Sequence, residues 1–121
     1  MHTFAHIEFP TLDVRKAVEF YGPLFNWTFR KFYGDDYLLI CTSEGETIGG
    51  LTRVSEIPRI SGFYNYVEVA DVDSALKKAE KLGGSVSRLS SELPDGMGCY
   101  GVILSPDGYP LGIWSKTGVA K

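Results

Sequence analysis

Two short stretches hold the side chains most able to do chemistry. "FAHIEFP", Phe4 to Pro10, sets His6 and Glu8 two positions apart in a strand-like run. "YNYVEV", Tyr64 to Val69, does the same with Tyr66 and Glu68. Alternate residues of a strand project from one face, so each pair shares a side. Imidazole nitrogen and carboxylate oxygen ligate divalent metals or move protons, which makes His6, Glu8 and Glu68 the candidate catalytic groups. For proton transfer, an imidazole works near neutral pH and burial raises a carboxyl towards the same range. In a structural role the same groups satisfy one another, Tyr66 or the backbone. A His-x-Glu also opens the zinc deaminase signature, but no Pro-Cys-x-x-Cys follows it.

A second set of residues suits binding. "GMGCYG", Gly96 to Gly101, formally matches G-x-G-x-x-G. The nucleotide fingerprint needs those glycines after a strand and opening a helix, whereas here they precede the strand-like "CYGVIL". A glycine-rich lip fits better, with Met97 and Tyr100 placed to touch a ligand. Trp114 stands two residues beyond Gly112 and so on the same face. With Tyr66 and Tyr100 it forms an aromatic wall for a flat or apolar ligand. Trp27 and Phe29 alternate in the same way along their strand; the competing reading, a large core residue at a dimer seam, is the preferred one for Trp27 and weighs equally with the wall for Trp114. Glycine at 50 and 112 withholds the bulk that would fill a cavity, which favours ligand space.

The elements that position these residues are written twice. Phe4, His6 and Glu8 fall on Tyr64, Tyr66 and Glu68 at an offset of 60. After a two-residue difference in the turn, Asp13 and Ala17 fall on Asp71 and Ala75. Aspartate is a favoured N-cap, and a helix follows each. Val14, Ala17, Val18 and Tyr21 have helical spacing, as do Val72, Ala75, Leu76, Ala79 and Leu82. Gly22-Pro23 should end or bend the first helix before Phe25, and Gly83-Gly84 should cap the second. Asp73 and Lys77 make an i,i+4 pair on the wet face. Strand-like runs then cover about 27–32, 37–42 and 46–53, and again about 85–89, 99–104 and 111–115. Module one spans about 3–55, a linker about 56–62, and module two about 63–116, within a single domain over 1–121. By parity Ile7, Val67 and Val69 pack under the helices, leaving His6, Glu8, Tyr66 and Glu68 on the opposite, concave side. Carboxylates there imply a wet cavity, because a dry core would have to pair them.

Bulk properties exclude several classes. A chain of 121 residues, 44% hydrophobic and 22% charged, is ordinary for a globular protein. Its net charge of −3 gives no electrostatic footprint for nucleic acid. No segment approaches the ~18 apolar residues of a membrane span, and Met1-His2-Thr3 does not open a secretory leader. The two cysteines, Cys41 and Cys99, form neither a CxxC pair nor a disulfide framework. A cytoplasmic setting without a membrane or nucleic-acid partner is expected.

The opening "HIEFPTLDVRKAVEFYGPLFNWTF", the "GGL" at 49–51, "YVEVADVDSALKKAEKLGG" and the ending "SPDGYPLGIW" carry a resemblance through their order and spacing. From Phe4 to about Trp114 the chain resembles the vicinal oxygen chelate superfamily, which includes glyoxalase I, extradiol dioxygenases and bleomycin- and fosfomycin-resistance proteins. The resemblance implies an α+β fold in which two paired βαβββ modules form a curled, cup-shaped mixed sheet with helices on its outer face, usually within a homodimer. It also implies a divalent metal, held by His and Glu from the first and last strands of both modules, that acts as a Lewis acid on substrate oxygens. Carried over by position, the ligands fall on His6, Tyr66, Gly50 and Gly112, so His6 is the one family ligand retained. The expected protein binds a small molecule among Tyr66, Trp114, Tyr100, Met97, Gly50 and Gly112 and needs no cofactor. The alternative is a lyase- or isomerase-type enzyme using His6 with Glu8 or Glu68, for proton transfer or around an atypical Zn, Ni, Fe or Mn site. A third reading is a dimeric assembly protein with a vestigial cup.

Overall fold

The computed structural model describes residues 2–60 and 62–117. Residue 61 of the expected linker lies outside the described residues, as do residues 1 and 118–121. The chain divides into two compact units, Met1–Ile57 and Pro58–Lys121, which correspond to module one and module two. The fold is α+β, and each module is a four-stranded mixed sheet with one helix.

Module one runs β1 (Ile7–Thr11), α1 (Val14–Phe25), β2 (Thr28–Tyr33), β3 (Tyr37–Cys41) and β4 (Thr47–Arg53). Its sheet order is β1-β4-β3-β2, with β1 parallel to β4 and the other pairs antiparallel. Asp13 caps α1 as expected, its carboxylate accepting from Lys16 N–H at 3.1 Å. The helix does not stop at Gly22-Pro23, however. It continues through Pro23 to Phe25 and ends at Asn26, whose left-handed φ of 57° lets Trp27 N–H reach back to the Gly22 carbonyl at 3.2 Å. A proline in the last turn costs one backbone bond there, and asparagine supplies the actual stop.

The buried side of β1 also differs in detail from the expectation. Phe9, not Ile7, carries the packing. Its ring lies 5.4 Å from Tyr21 and 5.9 Å from Trp27, whereas Ile7 is 40% exposed. Trp27, half-buried, also meets Phe25 with the rings tilted and their centres 4.7 Å apart, packing within its own module.

Module two runs β5 (Tyr66–Glu68), α2 (Val72–Lys81), β6 (Ser85–Glu92), a 3₁₀ turn (Pro94–Gly96), β7 (Cys99–Leu104) and β8 (Pro110–Ser115). Its order, β5-β8-β7-β6, repeats that of module one, again with one parallel pair. Asp71 caps α2 by accepting from Ser74 N–H. The helix ends in a Schellman motif. Gly84 N–H bonds to Ala79 O at 2.9 Å and Gly83, at φ 102°, to Glu80 O at 3.2 Å. The expected Asp73–Lys77 pair is replaced by a tighter contact, in which Ser90 Oγ donates to Asp73 Oδ1 at 2.6 Å and ties α2 to β6. Val67 and Val69 are half-buried, while Val72, Leu76, Ile103, Leu111 and Ile113 form the core between helix and sheet. No described helix is long and apolar enough to cross a membrane.

The strand register revises the alignment of the two modules. Glu8 pairs with Gly50 across β1 and β4, and Tyr66 pairs with Gly112 across β5 and β8. The two N-caps, Asp13 and Asp71, stand 58 positions apart. The same offset carries Glu8 onto Tyr66, Phe9 onto Val67 and His6 onto Tyr64. The turn therefore needs no adjustment, and the offset of 60 is replaced. Glu68 is the counterpart of Pro10, not of Glu8.

Candidate functional site

In module one the sheet face opposite α1 carries a polar cluster. Tyr37 Oη donates to Glu8 Oε2 at 2.8 Å and lies 2.8 Å from His6 Nε2, while Nε2 is 3.3 Å from the same carboxylate oxygen. A phenol has one proton, and here it goes to Glu8. His6 Nε2 must then be the N–H that donates to Tyr37. The expectation that His6 and Glu8 satisfy each other holds, but the tyrosine that joins them is Tyr37 of β3 rather than Tyr66.

Tyr37 reaches them because residue 50 is glycine. A Cβ built on Gly50 would collide with the Tyr37 hydroxyl and ring edge. The space that glycine leaves is therefore occupied by the protein itself, which corrects the reading of Gly50 as ligand space.

Module two builds the corresponding place from rings. The Tyr66 ring lies against Gly112, where a Cβ would strike three of its carbons. Gly112 thus makes room for Tyr66, and the correction made for Gly50 applies again. Tyr66 and Tyr100 meet edge to face at 6.1 Å. Trp114, two residues along β8, donates its indole N–H to the Met97 carbonyl at 2.8 Å, which fixes the ring. Together Tyr66, Tyr100, Trp114 and Leu93 line an open cavity of about 440 Å³, within the usual range for small-molecule sites. Met97 contributes that carbonyl, while its own side chain is exposed.

Leu93 was not singled out by sequence. It follows a strand and precedes the glycine-rich lip, and its N–H bonds to Gly98 O at 2.8 Å to close that loop. Burial pushes the Tyr66 phenol above its ordinary value. Its neighbours Tyr100 and Tyr64 add to this, and the charge of Arg88 acts in the opposite sense. The phenol is therefore a neutral hydrogen-bond donor at pH 7. Glu68 faces Lys116 at 3.7 Å, with both side chains largely exposed.

The family's metal tetrad does not fit these residues. Gly50 and Gly112 have no side chain to offer, and the adjoining space is filled by Tyr37 and Tyr66. The position equivalent to His6 is Tyr64, and His6 Nε2 is committed to Tyr37. Among the described residues no three His, Cys, Asp or Glu side chains converge to hold a metal ion. A catalytic metal normally takes about three protein ligands.

A sequence model of the Glyoxalase/Bleomycin resistance protein/Dioxygenase superfamily matches residues 3–113. No curated protein matches the chain in sequence. Among solved structures, a glyoxalase-related enzyme from Fulvimarina pelagi is 19% identical with a TM-score of 0.71, over 95% of this chain and 88% of that one. The genomically encoded fosfomycin resistance protein FosX from Listeria monocytogenes is 13% identical with a TM-score of 0.76, over 98% and 95%. Its E126Q mutant, complexed with Mn(II) and 1S,2S-dihydroxypropylphosphonic acid, gives 0.77 at 13% identity, over 98% and 93%. At these identities the likeness is one of fold.

Proposed function

Since the chain belongs to the glyoxalase/bleomycin resistance protein/dioxygenase superfamily, we propose that it uses that fold to bind a small organic molecule in module two, without the family's metal tetrad. The observation that carries this reading is the cavity of about 440 Å³ walled by Tyr66, Tyr100 and Trp114. Its indole is held by Met97 and its Tyr66 phenol stays neutral at pH 7. Fixed aromatic walls with a few polar groups at their edges favour a largely apolar ligand.

The test is a thermal-shift screen of aromatic and aliphatic metabolites, run once with chelator and once with added Zn²⁺, Ni²⁺, Fe²⁺ or Mn²⁺. Ligands that stabilise the protein in chelator, and no longer do so in Tyr66→Ala, support the proposal. Stabilisation that requires one of the metals overturns it.

A second reading rests on a separate observation, the Tyr37 hydroxyl placed 2.8 Å from both His6 and Glu8. Such a chain can pass a proton between a substrate and Glu8 in a lyase- or isomerase-type reaction. In that case Glu8→Gln abolishes turnover, whereas in the first reading it leaves binding in module two intact.

A further inference from the structure

Tyr100, one of the rings that line the module-two cavity, carries a cation that the apolar lining does not require. The Arg88 guanidinium lies 5.5 Å from the centre of the Tyr100 ring. Arg88 sits on β6, the edge strand of its sheet, and pairs with Val102, which places it on the same face as Tyr100 and Gly112. Two register shifts flank it. Val86 pairs with Ile103, Arg88 with Val102 and Ser91 with Tyr100, so β6 spends one extra residue on each side of Arg88. Bulges of this kind re-aim a side chain at the cost of ladder hydrogen bonds.

Among the described residues the positive charge also has no ion-pair partner. Arg88 is exposed and enters none of the ion pairs among the described residues, which are His6–Glu8, Arg15–Glu19, Lys31–Asp35, Arg53–Asp36 and Lys116–Glu68. A charge on an edge strand can serve simply to block pairing with other strands. That role needs no contact with Tyr100 and no double bulge. The charge also acts on the phenol of Tyr66, another ring of the cavity lining.

We infer that the ligand of this cavity is a planar aromatic carboxylate, with its ring against Tyr66, Tyr100 and Trp114 and its carboxylate paired with Arg88. This rests on the proposal that the cavity binds a small molecule, and deepens it by naming the class. The rings select a flat apolar body. Arginine, with its planar fork of N–H donors, matches a carboxylate in two parallel hydrogen bonds, and the guanidinium is already held over the Tyr100 ring. The neutral Tyr66 phenol can donate to the same anion.

Calorimetric titration with 2-naphthoate and its uncharged counterpart 2-naphthylmethanol tests the assignment on the intact protein, the Arg88→Gln variant and the Tyr66→Ala variant. Arg88 is exposed, so its replacement should leave folding unchanged, which circular dichroism checks. The expected result is naphthoate binding at least about tenfold tighter than the alcohol, the factor one charge-assisted hydrogen bond supplies. Arg88→Gln should remove that preference while the alcohol binds as before, and Tyr66→Ala should weaken both probes. Equal affinities in the intact protein, or a preference that survives Arg88→Gln, would overturn the carboxylate assignment and leave the cavity as a binding site. If naphthoate binding is unchanged in Tyr66→Ala, the probe lies elsewhere and the assignment falls. Failure of both probes to bind the intact protein overturns the assignment, and the thermal-shift screen then decides separately whether the cavity binds anything.

Discussion

Module one and module two each place a tyrosine and a glycine at matching points of their own sheets and do opposite things with them. Tyr37 pairs with Thr52, and Tyr100 with Trp114; two residues back on the last strand stand Gly50 and Gly112. The residue that faces the glycine from the first strand is Glu8 in one module and Tyr66 in the other. With a carboxylate there, the tyrosine hydroxyl is drawn into a hydrogen-bonded cluster with His6. With a ring there, the tyrosine becomes the side of an aromatic cavity. One backbone frame therefore carries either polar or apolar chemistry, and the choice is made mainly by a single position on the first strand and by Thr52 against Trp114 on the last.

The largest expected effect comes from filling the two glycines. Alanine at 112 collides with the body of the Tyr66 ring, so the ring must leave the cavity wall. Alanine at 50 meets chiefly the far end of Tyr37, which can swing aside. Overpacking of this kind costs about 1–3 kcal/mol. Gly112→Ala should fall at the upper end, near 3 kcal/mol, and Gly50→Ala at the lower, near 1 kcal/mol. Chemical denaturation would read the difference. Equal costs, or the reverse order, would mean that the two glycines do not play the contrasting parts described above.

A smaller effect separates the two tyrosines by their hydroxyls. Tyr37→Phe removes the group that joins His6 to Glu8 and leaves those two with a single contact of 3.3 Å. The loss should be about 0.5–1.5 kcal/mol, the usual net worth of a protein hydrogen bond. Most of it should vanish when the same change is made in a Glu8→Ala background, because the acceptor for the Tyr37 hydroxyl is then gone and the two side chains no longer act as a pair. Tyr100→Phe should change stability by less than about 0.5 kcal/mol, since its hydroxyl donates to nothing among the described residues. A Tyr37→Phe variant as stable as the parent would reduce the module-one cluster to chance proximity.

Alternation along strands was enough to bring Tyr66, Tyr100 and Trp114 to one face from sequence, aspartate N-caps located the start of both helices, and the Gly-Gly stop located the end of α2. What escaped was of two kinds. The first was register. Matching Glu8 to Glu68 by residue type forced a gap into the turn, whereas the spacing of the N-caps already required Glu8 to match Tyr66. The second was reach. Nothing in the periodicity of "YLLIC" says that Tyr37 will extend over a glycine two strand positions away and meet His6. A glycine in a strand does signal close approach by a neighbour, and at Gly50 and Gly112 that signal meant a side chain of the same module. Pro23 misled for a related reason, since a proline in the last turn removes only one bond and leaves the stop to Asn26.

The smallest effect concerns pH and belongs to module two. Burial pushes the Cys99 thiol above its ordinary 9.0, with the charges of Asp73, Asp71 and Glu92 adding to it. Burial likewise raises the phenols of Tyr66 and Tyr109 above 10.0. At pH 7 all three are protonated whether the chain is folded or not, so they add no pH dependence there. As pH climbs past about 9 the unfolded chain releases the thiol proton while the folded protein retains it, and past about 10 the phenols follow. The unfolded state then binds fewer protons than the folded one, so stability falls as pH rises. Thermal melting should accordingly be flat from about pH 7 to 8.5 with respect to these groups and decline above about pH 9. Cys99→Ala should remove the first part of that decline and leave the part that begins near the phenols' ordinary value. A decline unchanged in Cys99→Ala would mean that the buried Cys99 thiol does not set the onset of the alkaline sensitivity.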